Sequence, residues 1–449
     1  MKRNFDLIVI GTGAGGSTAA HKCRKAGWSV AIIDQNPFGG TCALRGCDPK
    51  KVLMGAAELV DFSERLQGNG VAADSKINWQ ELMEFKRRFT NPVSENKEKN
   101  FKKAGIETFH GTAEFINENT IEINNEKLIA KHFLIANGAK SAKLNIRGEE
   151  YFTYSDQFLE LNELPDKIIF VGGGYISFEF AHIAARAGAK VTILHRGDNP
   201  LKGFDKDLVQ LLLKKSREID IEIELNTEVK SIDKNNGRYK VTADKNKTEK
   251  LYEVEIVVHG AGRVPELDKM NLKKGNVKRG KAGVIVNEYL QSVSNPLVYS
   301  AGDSAATDGL PLTPVATMES HIAASNLING NNKKADYSGI PTVVFTIPHL
   351  ASVGMNEEDA RMKKLNFIIN FKETSGWYSS KRINERYSAF KTIIEKETGK
   401  ILGAHLLGHH SEELINLFAL AIKHNITTSD LKSTIYSYPT SSSDIAYMV

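Results

Sequence analysis

Cysteine is scarce in this sequence, at three of 449 residues. So few thiols exclude a scaffold held together by disulfides, and they suit a reducing compartment. Long apolar runs are also missing: none reaches the roughly 20 residues that a membrane-spanning helix needs. The first apolar run is too short for a secretory signal peptide. We therefore expect a cytoplasmic protein that has no membrane partner.

An excess of charge of one sign is lacking as well. The chain has 59 Lys and Arg against 54 Asp and Glu, a formal net charge of +5. The lysine-rich stretch 97–103 predicts a solvated helix face, and because no nucleic-acid motif accompanies it, we expect no nucleic-acid partner. The adjacent His409 and His410 have no evident third ligand, so no metal site is predicted. The length suggests about three domains of roughly 150 residues.

Two of the three cysteines stand close together and indicate redox chemistry. Cys42 and Cys47 directly follow the segment Gly39-Gly40-Thr41, whereas Cys23 is predicted to be a packed free thiol. Residues five apart in a regular helix rise about 7.5 Å and face different sides, beyond the roughly 4.4–6.8 Å between Cα atoms that a disulfide tolerates. A bridge therefore needs a distorted turn or a helix start, which favours a switched pair over a structural one.

A dinucleotide-binding signature precedes the cysteines. The G-x-G-x-x-G pattern of residues 11–16 follows the apolar run 7–10 and leads into a helix predicted from Ser17 to Ala26. A second predicted strand, 30–33, ends in Asp34, which can accept a hydrogen bond from a ribose hydroxyl. The glycines let the backbone approach a pyrophosphate at a helix N-terminus.

The whole unit recurs later in the chain. A strand predicted at 167–171 leads into Gly172-Gly-Gly174, with Ser177 in place of the third small residue. A helix is predicted to run through Ala187, followed by a strand over 190–194. The pattern predicts a second nucleotide site.

No acid closes the second strand of this repeat. His195 and Arg196 stand there instead, with Lys202 six residues beyond Arg196. An acid would pair with a ribose 2′-hydroxyl, whereas cations suit a 2′-phosphate. This pattern favours NADPH over NADH, the alternative being that the basic groups only line a solvated loop.

With two nucleotide folds and a dithiol between them, the chain resembles the flavoprotein (class I pyridine nucleotide-) disulfide oxidoreductases. That family includes glutathione reductase, dihydrolipoamide dehydrogenase and mercuric reductase, and the motifs here are most similar to glutathione reductase. The resemblance covers nearly the full length. The segments that carry it occur in the family's order: 39–51, 111–113, 135–138, 262–265, 301–303, 313–316, 340–345 and 351–354.

The resemblance implies an α/β fold with two Rossmann-like dinucleotide-binding domains, one for FAD and one for NADPH, and a C-terminal α/β dimerisation domain. The FAD domain is expected at 1–147 and 266–335, the NAD(P)H domain at 148–265 and the interface domain at 336–449. The excursion from Pro49 to Lys103 is predicted to be helical. A homodimer is implied, because in relatives the C-terminal segment reaches the other subunit's cleft.

The resemblance also implies site residues. Cys47 would be the thiolate beside the flavin and Cys42 the outer thiol that attacks the substrate. Lys50 and Glu179 resemble an ion pair near the flavin, and Tyr175 resembles a gate over it. The cofactor-binding positions implied are Gly11, Gly13, Ala14, Gly15, Gly16, Asp34, Gly40, Thr41, Lys51, Gly111, Thr112, Ala113, Ala136, Gly138, Gly172, Gly174, Tyr175, Ile176, Arg196, Lys202, Gly262, Arg263, Gly302, Asp303, Thr313, Pro314 and Val315.

One departure from the family concerns its C-terminal acid–base pair. Tyr438 stands where relatives have a histidine, and Ser443 where they have a glutamate, with Asp444 one residue late. A tyrosine, whose ordinary pKa is about 10, is a poor base but can donate a hydrogen bond to a leaving thiolate. The sequence therefore predicts an altered acid–base step at Tyr438.

Three further departures bear on the substrate. The chain lacks the C-terminal cysteine pair of mercuric reductases, which disfavours a mercury-handling role. His21 and Lys22 replace substrate-binding arginines of glutathione reductases, which puts glutathione in doubt. Asp48 replaces an aliphatic residue after Cys47, and a carboxylate so near a thiolate would raise its pKa unless it points elsewhere or pairs with Lys50 or Lys51.

These observations predict an enzyme that uses FAD and NADPH to reduce a small-molecule disulfide or other oxidised acceptor through Cys42 and Cys47. A second hypothesis is a diaphorase-like reductase that passes electrons from flavin to quinones, metal ions or oxidants. A third is a redox-sensing flavoprotein. The second nucleotide fold argues against the third, because a sensor needs no supply of hydride.

Overall fold

The computed structural model describes residues 2–72 and 75–449. Its helices are α1 Ala14–Lys25, α2 Gly40–Arg45, α3 Cys47–Leu66, α4 Trp79–Thr90, α5 Val93–Lys103, α6 Ser155–Phe158, α7 Tyr175–Arg186, α8 Lys206–Glu218, α9 Thr313–Asn329, α10 Glu357–Met362, α11 Tyr378–Lys381, α12 Ser411–His424 and α13 Thr428–Ser433. Short 3₁₀ helices lie at Glu149–Tyr151, Asp268–Met270, Gly302–Ser304 and Ser441–Tyr447. In the described residues, no helix combines the length and the apolar character needed to cross a membrane.

The strands, in chain order, are β1 Lys2–Ile10, β2 Val30–Asp34, β3 Glu107–His110, β4 Glu114–Asn117, β5 Thr120–Ile123, β6 Glu126–Ile135, β7 Ala139–Ser141, β8 Lys167–Val171, β9 Lys190–Leu194, β10 Ile221–Glu224, β11 Thr227–Asn235, β12 Arg238–Lys245, β13 Thr248–Val254, β14 Ile256–His259, β15 Arg263–Pro265, β16 Arg279–Gly280, β17 Gly283–Ile285, β18 Val298–Ser300, β19 Ala305–Ala306, β20 Pro341–Val344, β21 His349–Gly354, β22 Phe367–Glu373, β23 Ala389–Glu395 and β24 Ile401–Gly408.

The chain forms two compact units, each assembled from separate segments. The first unit comprises residues 1–50, 85–142 and 263–337, and the second comprises 51–84, 143–262 and 338–449. Each contains one of the two predicted glycine motifs.

The first unit is built on a mixed sheet in the order β3-β2-β1-β6-β5-β4, with β18 also paired to β6. Strands β3, β2, β1, β6 and β18 run parallel. The apolar run of β1 is buried on both faces: Leu7 and Val9 pack with Ala19 of α1, whereas Ile8 packs with Phe133 on the other side. A strand of a parallel sheet covered on both faces needs such a continuous apolar run.

The second unit contains the parallel sheet β10-β9-β8-β14 and the antiparallel ribbon β11-β12-β13. Helix α7 packs against the parallel sheet through buried side chains such as Phe178 and Ile183. The C-terminal part of this unit is the antiparallel sheet β20-β21-β24-β23-β22, against which α12 packs through Ile415 and Phe418.

Several elements differ from the predicted bounds. Helix α1 begins at Ala14 rather than at Ser17, because the glycine motif itself forms the first helical turn. The alternating pattern of residues 343–346 predicts a strand, but the observed strand β20 ends at Val344. The backbone N–H groups of Phe345 and Ile347 are used by side chains, Glu179 and His182, instead of a neighbouring strand. The amphipathic pattern of residues 411–424 predicts a helix, and α12 has these bounds.

Candidate active site

The two cysteines lie at a break between two helices. Cys42 is the third residue of α2, and Cys47 is the first residue of α3, with Gly46 between the helices at φ −146° and ψ −112°. Both side chains are free thiols, and each shifts the pKa of the other. The predicted interruption of the helix between them is therefore confirmed, because a continuous helix would separate the two sulfurs.

The surroundings of the dithiol place negative charge on Cys47. The hydrogen bond from Cys42 lowers the pKa of Cys47 to about 6, with further contributions from the Thr313 hydroxyl and the Lys50 ammonium, although burial opposes the shift. The Thr313 Oγ1 atom lies 3.6 Å from the Cys47 sulfur. The same hydrogen bond, together with burial, raises the pKa of Cys42. At neutral pH Cys47 is therefore the thiolate, and Cys42 carries the proton.

Asp48 faces the dithiol rather than pointing elsewhere. Its Oδ1 atom lies 3.9 Å from the Cys42 sulfur, within reach of the thiol proton. The carboxylate contributes to raising the pKa values of both thiols. The sequence-based concern about this carboxylate therefore holds, and the thiol that it contacts is Cys42.

The neighbouring lysines have different surroundings. Lys50 is buried and acts electrostatically on Cys47. The Lys51 ammonium lies 2.8 Å from Glu58 Oε1 and 4.7 Å from the centre of the Phe345 ring, both in the second unit. Its predicted contact with a cofactor stays a prediction.

The first glycine motif has the geometry that a dinucleotide needs. Gly11 has φ +110°, and a Cβ there would lie 2.2 Å from the Ala136 carbonyl oxygen. A Cβ at Gly16 would lie 2.0 Å from the Gly11 oxygen, so this glycine permits close packing. A Cβ at Gly13 would meet no protein atom nearer than 3.7 Å. The protein itself leaves room at Gly13, which is where a bound pyrophosphate requires close backbone approach.

The dithiol segment packs directly on this motif. A Cβ at Gly40 would lie 2.4 Å from the Cα atom of Gly13. The backbone N–H of Gly39 also donates to the Thr12 hydroxyl at 3.0 Å. Within the first unit, the loop that would hold a pyrophosphate and the segment that leads to Cys42 are thus in contact.

The Asp34 carboxylate is held in place at the end of β2. Its Oδ2 accepts hydrogen bonds from the Thr12 N–H at 2.9 Å and the Thr12 hydroxyl at 2.6 Å, and its Oδ1 accepts one from the Asn36 N–H. A carboxylate has about four acceptor positions. Asp34 therefore retains capacity for a ribose hydroxyl.

Other predicted FAD residues gather at the same edge of this sheet. Because the parallel strands β1, β2, β3, β6 and β18 end together, the residues that follow them share one edge. These include Gly11, Gly111, Thr112, Ala113, Ala136, Gly138, Gly302 and Asp303. The remaining predicted residues of the first unit lie in or beside α1, α2, β15 and α9: Ala14, Gly15, Thr41, Arg263, Thr313, Pro314 and Val315.

Glu319 was not predicted, yet it supports this edge. The side chain is buried in α9, and its carboxylate accepts hydrogen bonds from the Gly302 N–H at 2.6 Å and from the hydroxyls of Thr307 and Tyr337 at 2.7 Å each. Burial raises its pKa. The available signal was an acidic residue within the otherwise uncharged helix that begins with Thr313-Pro314.

The second glycine motif repeats the geometry with one change. Gly172 has φ +115°, and a Cβ there would lie 2.3 Å from the Gly260 oxygen, whereas one at Gly174 would meet nothing nearer than 3.5 Å. Ser177 occupies the third position and is fully buried. Its hydroxyl is accommodated because Gly260 lacks a side chain: a Cβ at Gly260 would lie 2.0 Å from Ser177 Oγ.

The basic residues after β9 fall into two groups. The His195 ring covers Gly173, and its Nε2–H donates to the Asn199 carbonyl oxygen at 3.2 Å. Burial lowers the pKa of His195, so it is neutral near pH 7 and does not supply a cation. Arg196 and Lys202 are exposed. They are the cations of this segment that could meet a phosphate.

The remaining predicted residues of the second unit lie on or after its secondary-structure elements. Tyr175, 49 % exposed, is the first residue of α7, and Ile176 packs against the core beneath that helix. The buried Glu179 accepts a hydrogen bond from the Phe345 N–H at 2.9 Å. Gly262 follows β14. The predicted Lys50–Glu179 ion pair stays a prediction.

Tyr438 lies on the protein surface. Its side chain is 80 % exposed. Ser443, at the position of the family's glutamate, donates to the Thr440 carbonyl, and Asp444 accepts a hydrogen bond from Ser379. The two residues that could have replaced the glutamate thus have partners of their own.

Comparison with known proteins agrees with this architecture. Residues 5–320 match the family model for pyridine nucleotide-disulphide oxidoreductases, and residues 340–449 match the dimerisation domain of these proteins. Among solved structures, the copper(II) complex of a mutant of RclA, an HOCl-induced flavoprotein disulfide reductase from Escherichia coli, is similar with a TM-score of 0.89 and 25 % identity. The similarity covers 99 % of each chain.

Three curated proteins illustrate the similarity in sequence. The glutathione reductase of Burkholderia cepacia is 32 % identical over 98 % of this chain and 97 % of its own. The mercuric reductase of Bacillus cereus is 30 % identical over 97 % of this chain and 70 % of its own. A 19.7 kDa protein described as uncharacterized, from a mercuric resistance operon of Staphylococcus aureus, is 56 % identical over its whole length and 40 % of this chain.

Proposed function

Because the chain belongs to the pyridine nucleotide-disulphide oxidoreductase family, we propose that it is an FAD-dependent enzyme that uses NADPH to reduce a small-molecule disulfide through Cys42 and Cys47. The observation that carries the proposal is the dithiol itself. The break at Gly46 places Cys42 near enough to act on Cys47, and the surroundings lower the pKa of Cys47 to about 6, which makes it the thiolate. The same segment packs on the first glycine motif, where FAD would bind.

The two nucleotide motifs have separate roles in this proposal. Gly13 and Asp34 would hold the pyrophosphate and adenosine ribose of FAD, and Gly174 would receive the pyrophosphate of NADPH. Bound FAD would supply the hydride chemistry that links the nicotinamide to the dithiol. Arg196 and Lys202 support NADPH over NADH, because both are exposed cations beyond β9.

The thiol chemistry belongs to the chain's own residues. The Cys42 proton first passes to the Cys47 sulfur, and the resulting Cys42 thiolate attacks one sulfur of the substrate disulfide, forms a mixed disulfide and releases one thiolate. That released thiolate takes up the proton from Cys47, which restores the Cys47 thiolate. The Cys47 thiolate then attacks the Cys42 sulfur, forms the Cys42–Cys47 disulfide and releases the second half of the substrate. Two electrons pass from the dithiol to the substrate, and the proton of Cys42 ends on one of the released thiols.

Tyr438 is proposed to assist this step as a hydrogen-bond donor. Its side chain is exposed, and it lies in the segment that matches the dimerisation domain, which supports action at a homodimer interface. A phenolic hydroxyl can donate a hydrogen bond. Tyr438 would therefore stabilise a departing thiolate.

An anaerobic NADPH titration tests the proposal. After addition of two electrons, the wild type should show long-wavelength absorbance from the Cys47 thiolate beside oxidised flavin. The Cys42→Ser variant should lose disulfide turnover but retain flavin reduction by NADPH. If the wild-type flavin simply bleaches, the dithiol is not in electronic contact with it and the disulfide-reductase proposal fails.

A second candidate function is direct transfer of electrons from flavin to a metal ion or another oxidant. The comparisons favour it, because relatives include a mercuric reductase and a protein of a mercuric resistance operon, and the similar structure is a copper(II) complex. Cys42→Ser separates the two candidates. Reduction of such an acceptor should survive the substitution if the electrons bypass the dithiol.

A further inference from the structure

The outer thiol of the pair has a carboxylate as its neighbour. The Asp48 Oδ1 atom lies 3.9 Å from the Cys42 sulfur, and the Asp48 side chain is exposed. Asp48 is in the first turn of α3, where the helix dipole stabilises a negative charge. The charge is therefore held beside the sulfur by the helix that also begins with Cys47.

The two thiols consequently present different electrostatic environments. Cys47 has the Thr313 hydroxyl at 3.6 Å and the ammonium of Lys50 acting on it. An oxidised substrate that approaches the Cys42 sulfur instead comes close to the Asp48 carboxylate. Coulomb's law then predicts attraction for a cationic acceptor and repulsion for an anionic one.

On the basis of the function proposed above, we propose that Asp48 is a specificity-determining residue that directs Cys42 toward cationic disulfides and against anionic ones. In the mixed-disulfide step, the half of the substrate that becomes bonded to Cys42 must lie close to the Asp48 carboxylate. At a charge separation of about 6 Å and an effective dielectric constant of roughly 40–80, one unit charge changes the rate about three- to tenfold. The ratio of the rates for a cationic and an anionic substrate therefore changes by about the square of that factor.

Three small disulfides of similar size provide the test. Cystamine is cationic, bis(2-hydroxyethyl) disulfide is neutral and 3,3′-dithiodipropionate is anionic. In the wild-type holoenzyme, kcat/KM should fall in that order. In Asp48→Asn the ratio of cystamine to dithiodipropionate should decrease by about tenfold or more. The matched control is Glu81→Gln, which removes an exposed first-turn carboxylate from α4 and should leave the ratio unchanged.

Ionic strength provides a second arm. Added salt should compress the wild-type ratio, because exposed charges are screened, and should have little effect on the ratio in Asp48→Asn. If Asp48→Asn changes kcat/KM for all three disulfides by the same factor, the carboxylate acts only through Cys42 acidity. That result would overturn the proposal.

A chemical measurement separates this inference from the proposed function. The reduced protein is alkylated with iodoacetate or iodoacetamide, and the label at Cys42 is quantified by mass spectrometry. Asp48→Asn should raise the ratio of iodoacetate to iodoacetamide labelling at Cys42 about three- to tenfold. If that ratio rises in a protein that reduces no disulfide, the charge selection stands and the proposed function fails. If disulfides are reduced but neither ratio moves, the inference about Asp48 fails.

Discussion

In the first nucleotide motif the third position is Gly16, whose missing side chain lets α1 pack on the Gly11 carbonyl. In the second motif Ser177 occupies that position, and the space comes from Gly260 on the strand side instead. A close helix–strand contact therefore limits the combined volume of the two facing side chains, and the glycine can be on the helix or on the strand side. The G-x-G-x-x-G pattern covers only the helix side of the contact, so it does not detect a motif in which the strand side supplies the small residue.

The strands that follow also end differently. Asp34 closes the first repeat and is fixed by Thr12 and Asn36. The second repeat ends with His195, whose ring is packed over Gly173. The positive charge after this strand therefore comes from the exposed Arg196 and Lys202. The same fold can thus offer an acceptor for a hydroxyl or cations for a phosphate.

The largest effect is expected where the packing of the second motif is broken. Gly260→Ala places a Cβ 2.0 Å from Ser177 Oγ and should destabilise the protein by about 2–3 kcal/mol. Ser177→Gly should cost less than about 1 kcal/mol. The double variant should regain most of the lost stability, measured by chemical denaturation. Additive losses would show that the two residues do not compensate each other.

Next in size is the effect of the cations of the second repeat. Arg196→Ala and Lys202→Ala should each raise the KM for NADPH about ten- to hundredfold, because a charge-assisted hydrogen bond contributes roughly 1.5–3 kcal/mol. The KM for NADH should change less than about threefold. Steady-state kinetics with both nucleotides checks this. Equal losses with NADH would show that these residues bind a group common to the two cofactors.

A smaller effect, on FAD binding, is expected at Glu319, which supports the sheet edge next to the first glycine motif. Glu319→Gln removes the charge that holds the Gly302 N–H and should weaken FAD binding by about 1 kcal/mol, or roughly fivefold. Reconstitution of the apoprotein and the visible circular dichroism of bound flavin measure it. Tyr337→Phe is the control, because it removes a hydroxyl from the same carboxylate but leaves Gly302 bonded. An equally large loss of FAD affinity in Tyr337→Phe would show that the hydrogen bond to Gly302 is not what matters for FAD binding.

The smallest expected effect is the contribution of His195 to the pH dependence of stability. Burial lowers the pKa of the folded His195 below the value of about 6.5 in the unfolded chain. The unfolded state then binds more protons below pH 6.5, so the stability associated with neutral His195 is present above that pH and decreases as pH falls. The melting temperature of the wild type should decline from pH 7 to pH 5.5 more than that of His195→Asn. Parallel profiles would contradict a lowered pKa for the half-buried His195 ring.

Much of the fold could be predicted because its signals are local. Glycine motifs, apolar runs such as 7–10 and the helical pattern of 411–424 depend on neighbours within a few residues. The interruption between Cys42 and Cys47 was also predictable, because helix geometry alone rules out a bridge across five regular residues. The family's motifs then gave a list of site positions, many of which the structure brings to one edge of the first sheet.

The sequence by itself determined the two nucleotide motifs, the dithiol and the family, because each is encoded in a contiguous pattern of residues. Only the tertiary structure decided which partner each polar group meets. Glu319 binds the Gly302 N–H, Ser177 fits against Gly260, and the half-buried His195 has a lowered pKa. Burial and hydrogen bonding between distant segments shift pKa values and leave room for side chains, and neither is encoded in a local pattern.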